Sequence, residues 1–193
     1  MSKLSKSAKI CSNLPGSIQT RLSLLLLTIL LPTAQSCANP DTLFTPFDNG
    51  QAELRTTALL HGAQHRIRMS CYAFTDYKLV DELVAAVKRG VDVSILADKS
   101  QSSHSYEKDI LAELQENGVK VLIGTSPVHG QLLHAKFLVV DTIHTEDGSW
   151  NYTGATATAQ FNTLNFSDDP GRAAQFEAAW QKMHDSIVSR AKL

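Results

Sequence analysis

Apolar positions along the chain switch between a period near two and a period near four, and each switch marks a change of element. A first strand is expected over 42–47, followed by a helix over 51–63 with Leu54, Ala58 and Leu59 toward the core. RIRMSCYAF at 66–74 has the composition of a strand. Tyr77 to Arg89 places Leu79, Leu83 and Val87 on one helical face, and Gly90 is a natural stop. VDVSILAD follows from Val91 as a second strand, and strand, helix, strand in succession is the mark of parallel pairing. A polar loop, KSQSSHSY at 99–106, sits at the carboxyl end of that strand, where open α/β sheets tend to hold ligands. A helix over 107–117 turns Ile110, Leu111 and Leu114 inward and ends at Gly118; a strand over 119–123 comes next. The last helix, 173–189, carries Phe176, Trp180, Met183 and Ile187 as a packing stripe. The class is α/β.

The stretch with the most chemistry is Leu132 to Asn151, LLHAKFLVVDTIHTEDGSWN. LLHAKFLVV is apolar on both faces, which predicts a buried strand with His134 and Lys136 side by side on one face. Asp141 ends the run, TIHTEDG reads as a turn, and the chain returns through Ser149 and Asn151, again two apart. An ammonium, a hydroxyl and an amide beside an imidazole suit a phosphate. Lys136 brings charge, Ser149 and Asn151 bring neutral donors, and His134 can attack or shuttle a proton. Packing alone would explain any one of these residues. It does not explain an unpaired His and Lys held together on a buried strand.

The spacing is H-x-K-x(4)-D-x(6)-G-S-x-N, and at His134, Lys136, Asp141, Gly148, Ser149 and Asn151 it resembles the HKD motif of the phospholipase D superfamily. The resemblance covers roughly residues 44–188. It implies a mixed central sheet flanked by helices on both faces. It also implies covalent catalysis at phosphorus with no metal and no cofactor. One His attacks the phosphodiester and forms a phosphohistidine. A second His protonates the leaving oxygen and then activates water. Lys and Asn hold the non-bridging oxygens, and the Asp and Gly of the motif support them.

Two His are needed, and no second H-x-K occurs; His104 and His129 lack the pattern. The expectation is a homodimer whose twofold axis passes through the site, so that His134 appears twice. Asp98-Lys99-Ser100-Gln101 is similar to a D-K-S-Q stretch of related nucleases, which makes Lys99 and Gln101 candidates for substrate binding. The chain departs from the family downstream. Related nucleases carry a Glu in an N-x-E-N setting, where it orients the partner's His. Gln160 to Asn165 here offers no carboxylate, and Asn162 is the expected occupant, with Asp168 or Asp169 as substitutes. Small, exported, single-motif members are similar to EDTA-resistant periplasmic endonucleases. The implied activity is therefore endonucleolytic, on DNA, with RNA the alternative nucleic acid, and with little sequence preference. The alternatives are a phospholipase D acting on lipid head groups and a degenerate module that only binds phosphate.

Composition adjusts this picture. Residues 1–38 read as an export signal: a basic stretch to Arg21, then the apolar run Leu22 to Leu31, then Pro32 and small residues. That run is shorter than the roughly 20 residues a membrane span needs. Cys37 stands where the acylated Cys of a lipoprotein would stand, after the imperfect lipobox Ala34-Gln35-Ser36. The expected domain is 39–193, periplasmic, either free or held by a lipid anchor at Cys37. Without residues 1–37 the chain has 14 basic and 19 acidic residues, a balance of -5, which argues against a broad DNA-binding surface but not against a local basic pocket. Cys37 and Cys71 give no disulfide framework, and His61 and His65, lacking a third ligand nearby, read as helix surface.

Overall fold

A computed structural model describes residues 41–154 and 159–191. The expected export signal and Cys37 lie outside the described residues. In chain order the elements are β1 (Asp41–Thr45), α1 (Asn49–Gly62), β2 (Arg66–Cys71), α2 (Tyr77–Lys88) and β3 (Asp92–Asp98). A short 3₁₀ turn (Gln101–Ser103) leads to α3 (Ser105–Glu116) and β4 (Lys120–Gly124). Then come β5 (Phe137–Val140), β6 (His144–Gly148), β7 (Asn162–Ser167) and α4 (Pro170–Ala191).

The strands form one sheet in the order β1-β7-β6-β5-β2-β3-β4. β2, β3 and β4 run parallel, as their helical crossovers require, and β5, β6, β7 and β1 add antiparallel. Strand alternation divides the core in two. Ile95, Leu138 and Val140 face α1, α2 and α3, whereas Leu96, Phe137 and Val139 face α4. Helices thus cover both faces, in agreement with the expected fold class. Trp180 of α4 packs in the second layer and donates its indole N–H to the Met69 carbonyl at 2.8 Å. Asp76 caps α2 by accepting from the Lys78 N–H at 2.9 Å, an interaction typically worth about 1 kcal/mol.

Four expectations need correction. The buried face of α1 is Ala52, Thr56 and Leu60; Leu54 is 62% exposed and Ala58 also faces solvent. The phase is set by a polar contact, since Thr56 Oγ1 donates to the buried Glu146 carboxylate at 2.7 Å and so turns toward the core. In α2 it is Ala86, not Val87, that completes the fully buried stripe. The expected strand 132–140 is regular only from Phe137, so His134 and Lys136 lie on an extended approach to β5 rather than within it. The expected turn TIHTEDG contains a strand. β6 starts at His144, and the turn is confined to Asp141, Thr142 and Ile143. Asp141 and Thr142 have φ of 51° and 63°, the two left-handed residues of a type I′ hairpin turn.

Candidate functional site

The site is built on backbone that is pinned on both sides of His134. The Leu133 N–H donates to Asp98 Oδ2 at 2.7 Å, and the Ala135 carbonyl accepts from Ser70 Oγ at 3.2 Å. Leu133 itself is buried in the α4-side core. Asp98, fully buried at the end of β3, also accepts from the Ser100 N–H at 2.9 Å, so one carboxylate joins the 99–103 loop to the approach to His134. Arg190 of α4 donates to the Thr125 and Ser126 carbonyls at 2.6 and 2.7 Å and fixes the loop leading in.

His134 is exposed, whereas Lys136 is only 7% exposed. The Lys136 ammonium donates to the His134 carbonyl at 2.8 Å and lies 3.3 and 3.2 Å from the two ring nitrogens. Burial lowers the pKa of Lys136, and Cys71 partly offsets that shift. An ammonium kept this dry has little water to give up when an anion arrives, so its field at the imidazole is strong. Tyr72 lies against both groups. Its ring centroid is 4.7 Å from that of His134 and 5.1 Å from Lys136 Nζ. Burial raises the Glu107 carboxyl to about 7, opposed by the Phe74 N–H and reinforced by Asp98, and burial likewise drives the Cys71 thiol upward, aided by Glu107 and Asp98.

Gly148 and Ser149 come from the end of β6. Lys136 and Gly148 meet directly, through a Gly148 N–H to Lys136 carbonyl bond of 3.3 Å. A Cβ on Gly148 would lie 1.9 Å from the Thr163 carbonyl, so close approach of β7 demands glycine there. Ser149 is exposed and already engaged; its hydroxyl donates to Asn162 Oδ1 at 3.1 Å and accepts from the Thr163 N–H at 3.1 Å. Asn162 in turn donates from Nδ2 to Thr45 Oγ1 at 3.3 Å. The structure therefore brings Asn162 to Ser149. Asn151 is half-buried, and its Oδ1 is buried without a hydrogen-bond partner among the described residues. Phe47 and Phe161, 79% and 82% exposed, flank the Ser149–Asn162 pair across a cleft of about 560 Å³.

Other sequence-stretch candidates fall elsewhere. Asp141 sits at the far end of β5 from His134. Its carboxylate accepts from the Gln64, His65 and Arg66 N–H groups at 2.7, 2.7 and 2.9 Å, which ties the α1–β2 loop to the hairpin. Burial pushes its carboxyl up, but these three donors outweigh burial and hold it below the usual value. Gln101 donates to the Tyr72 hydroxyl at 2.9 Å, and Lys99 is exposed on the rim of a neighbouring cleft lined by Ser100, Val128 and Gln131. Asp168 pairs with His144 at 2.6 Å. Tyr72 was not singled out from sequence. The available signal was an aromatic residue just past the carboxyl end of a parallel strand, within CYAFT.

A relative named phospholipase D, from Rickettsia typhi, is 30% identical over 121 residues, 63% of this chain and 57% of its own length. This chain thus spans a little over half the length of that relative. Among solved structures, a phospholipase D family member, Nuc from Salmonella typhimurium, superposes with a TM-score of 0.67 at 28% identity, covering 76% of this chain and 95% of its own. NucT from Helicobacter pylori superposes with a TM-score of 0.70 over the same shares at 18% identity, a likeness of fold. The family model described as cardiolipin synthase, PLD-like domain, matches residues 56–184, a span that runs from α1 into α4 and takes in every group from Tyr72 to Asn162 described above. By that match, which covers more than half of its residues, the chain belongs to the phospholipase D-like family.

Proposed function

We propose that the protein is a metal-independent phosphodiesterase, a non-specific endonuclease on DNA, with RNA the alternative nucleic acid, acting through a phosphohistidine on His134. The observation that carries this reading is an exposed imidazole with a buried ammonium 3.2–3.3 Å from its nitrogens. A ring nitrogen of His134 attacks phosphorus, forming a P–N bond as the P–O bond to the leaving group breaks. The leaving oxygen takes a proton from the His134 imidazole of a second copy. That imidazole then removes a proton from water, whose oxygen displaces the P–N bond and restores both rings. Lys136 and Asn151 hold the non-bridging oxygens as charge builds, and Ser149 joins them by turning its hydroxyl from Asn162 to the substrate. One His134 per chain makes the homodimer part of the proposal, as is export by residues 1–38 to the periplasm, either free or with a lipid anchor at Cys37. Nuc supplies a relative of known fold for the nuclease reading.

A second reading, phospholipid head-group hydrolysis, is favoured by one feature: Phe47 and Phe161 stand almost fully exposed beside Ser149 and Asn162, as side chains meeting a bilayer do. It is also the activity named in the Rickettsia typhi relative. Plasmid nicking in EDTA, run beside head-group release from phosphatidylcholine vesicles, separates the two. Nicking that weakens steeply with salt supports the nuclease. Release from vesicles without nicking supports the lipase, and neither activity leaves a phosphate-binding module.

A further inference from the structure

The family carboxylate that orients the nucleophilic imidazole has no counterpart between Gln160 and Asn165. Asn162, its expected replacement, is committed to Ser149 and Thr45. Within its own chain the His134 ring meets Tyr72 and Lys136.

We propose that Tyr72 is the positioning residue for His134, and that Gln101 and Asp98 hold Tyr72 and the His134 backbone as one clamp. The register explains the placement. β2 pairs antiparallel with β5, with Ser70 opposite Phe137, so the chain continuing past Cys71 emerges beside residues 134–136. Tyr72 arrives there with its ring tilted 56° to the imidazole at 4.7 Å. Its far end is fixed by the Gln101 amide at 2.9 Å. The turn that presents Gln101 is closed by Asp98, which accepts from the Ser100 N–H at 2.9 Å and, through its other oxygen, from the Leu133 N–H at 2.7 Å. One buried carboxylate therefore sets both the ring and the backbone that it faces.

The clamp has two physical consequences. A ring in contact with an imidazole blocks rotation about the Cβ–Cγ bond of His134, which a hydrogen bond from a carboxylate would otherwise restrain. The centroid of the same ring lies 5.1 Å from the Lys136 ammonium, so the ring holds the cation near the imidazole by cation–π attraction. The work assigned to a carboxylate in relatives is divided here between an aromatic face and a buried lysine. Gln101, a substrate-binding candidate by sequence, has its amide engaged on Tyr72 and acts through it.

This inference rests on His134 being the nucleophile, and the experiment separates the two. Steady-state hydrolysis of bis(p-nitrophenyl) phosphate is measured for the full chain, His134→Asn, Tyr72→Phe and Tyr72→Leu, with folding checked by thermal melting. Tyr72→Phe keeps the ring but gives up its bond to Gln101, so its loss of kcat should be small, about threefold to tenfold, and equal to that of Gln101→Leu. Tyr72→Leu should lose kcat by roughly a hundredfold, the scale of an angstrom of misplacement, with KM little changed. In ¹⁵N-histidine spectra the His134 signals should be sharp in the wild type, slightly broadened in Tyr72→Phe and strongly exchange-broadened in Tyr72→Leu. If Tyr72→Leu melts early, Gln101→Leu, whose side chain is half-exposed, gives the same test with a smaller loss of kcat. Wild-type kcat in a folded Tyr72→Leu overturns the clamp and leaves the nucleophile standing. An active His134→Asn overturns the nucleophile itself.

Discussion

Lys136 is 7% exposed and held by Tyr72 and the His134 carbonyl, whereas Ser149, at the other side of the same site, is exposed and bordered by two nearly bare phenylalanines. The first half is dry, charged and pinned through Asp98 and Ser70. The second is neutral, and its donors are already spent on one another. Strong electrostatic stabilisation of a developing anion needs fixed dipoles or charges out of water, and only the His134–Lys136 half has them. The open half is suited to shaping what approaches, be it substrate or a second copy.

Substitutions on the two sides should therefore differ in kind. His134→Asn should reduce turnover at least about a thousandfold while leaving the melting temperature within a few degrees of wild type. Lys136→Met should cost roughly a hundred- to a thousandfold in kcat, with stability unchanged or improved, because a lone buried ammonium is exchanged for a side chain of similar volume. Ser149→Ala, on the open side, should cost only about tenfold, the scale of one hydrogen bond. A loss equal to that of Lys136→Met would erase the distinction between the halves.

Asp141→Asn should leave turnover per folded molecule unchanged and lower stability by roughly 2 kcal/mol, seen as an earlier urea midpoint. Its carboxyl is held low in the folded chain, so its contribution is present above the ordinary Asp value and is lost as pH falls through the folded one. The variant should thus converge on wild type in acid. Glu146 gives the opposite slope. Burial lifts it from 4.5 to about 7, against the Thr56 and Tyr152 hydrogen bonds, so the folded chain retains its proton where the unfolded chain has lost it. Stability should fall as pH rises through that interval, and Glu146→Gln should flatten the profile without changing turnover at its optimum.

Asp141 also marks how far the sequence carries. The H-x-K-x(4)-D spacing identified the family, and the strand, helix, strand rhythm placed β2, α2, β3, α3 and β4, because each rests on local periodicity. What Asp141 does was not legible, since its partners Gln64 to Arg66 are distant in sequence. β6 was hidden for another reason. HTEDG is polar, yet Thr145 and Glu146 are buried in the middle of the sheet, where Thr56 satisfies the carboxylate from across the core. The same contact rotated α1 away from its apolar phase. β7 was missed because Asn162 and Asn165 interrupt its alternation, and both are satisfied by neighbouring strands. Tyr72 escaped because nothing local links CYAFT to His134; only the β2–β5 register does.

The central claim is that His134 itself carries the phosphoryl group during turnover. Mass spectrometry of the protein quenched in base during hydrolysis of a labelled phosphodiester in EDTA tests it directly. The expected result is an acid-labile, base-stable adduct on His134, present in wild type and missing in His134→Asn. An adduct on another residue, or turnover that stops when EDTA is added, would contradict it.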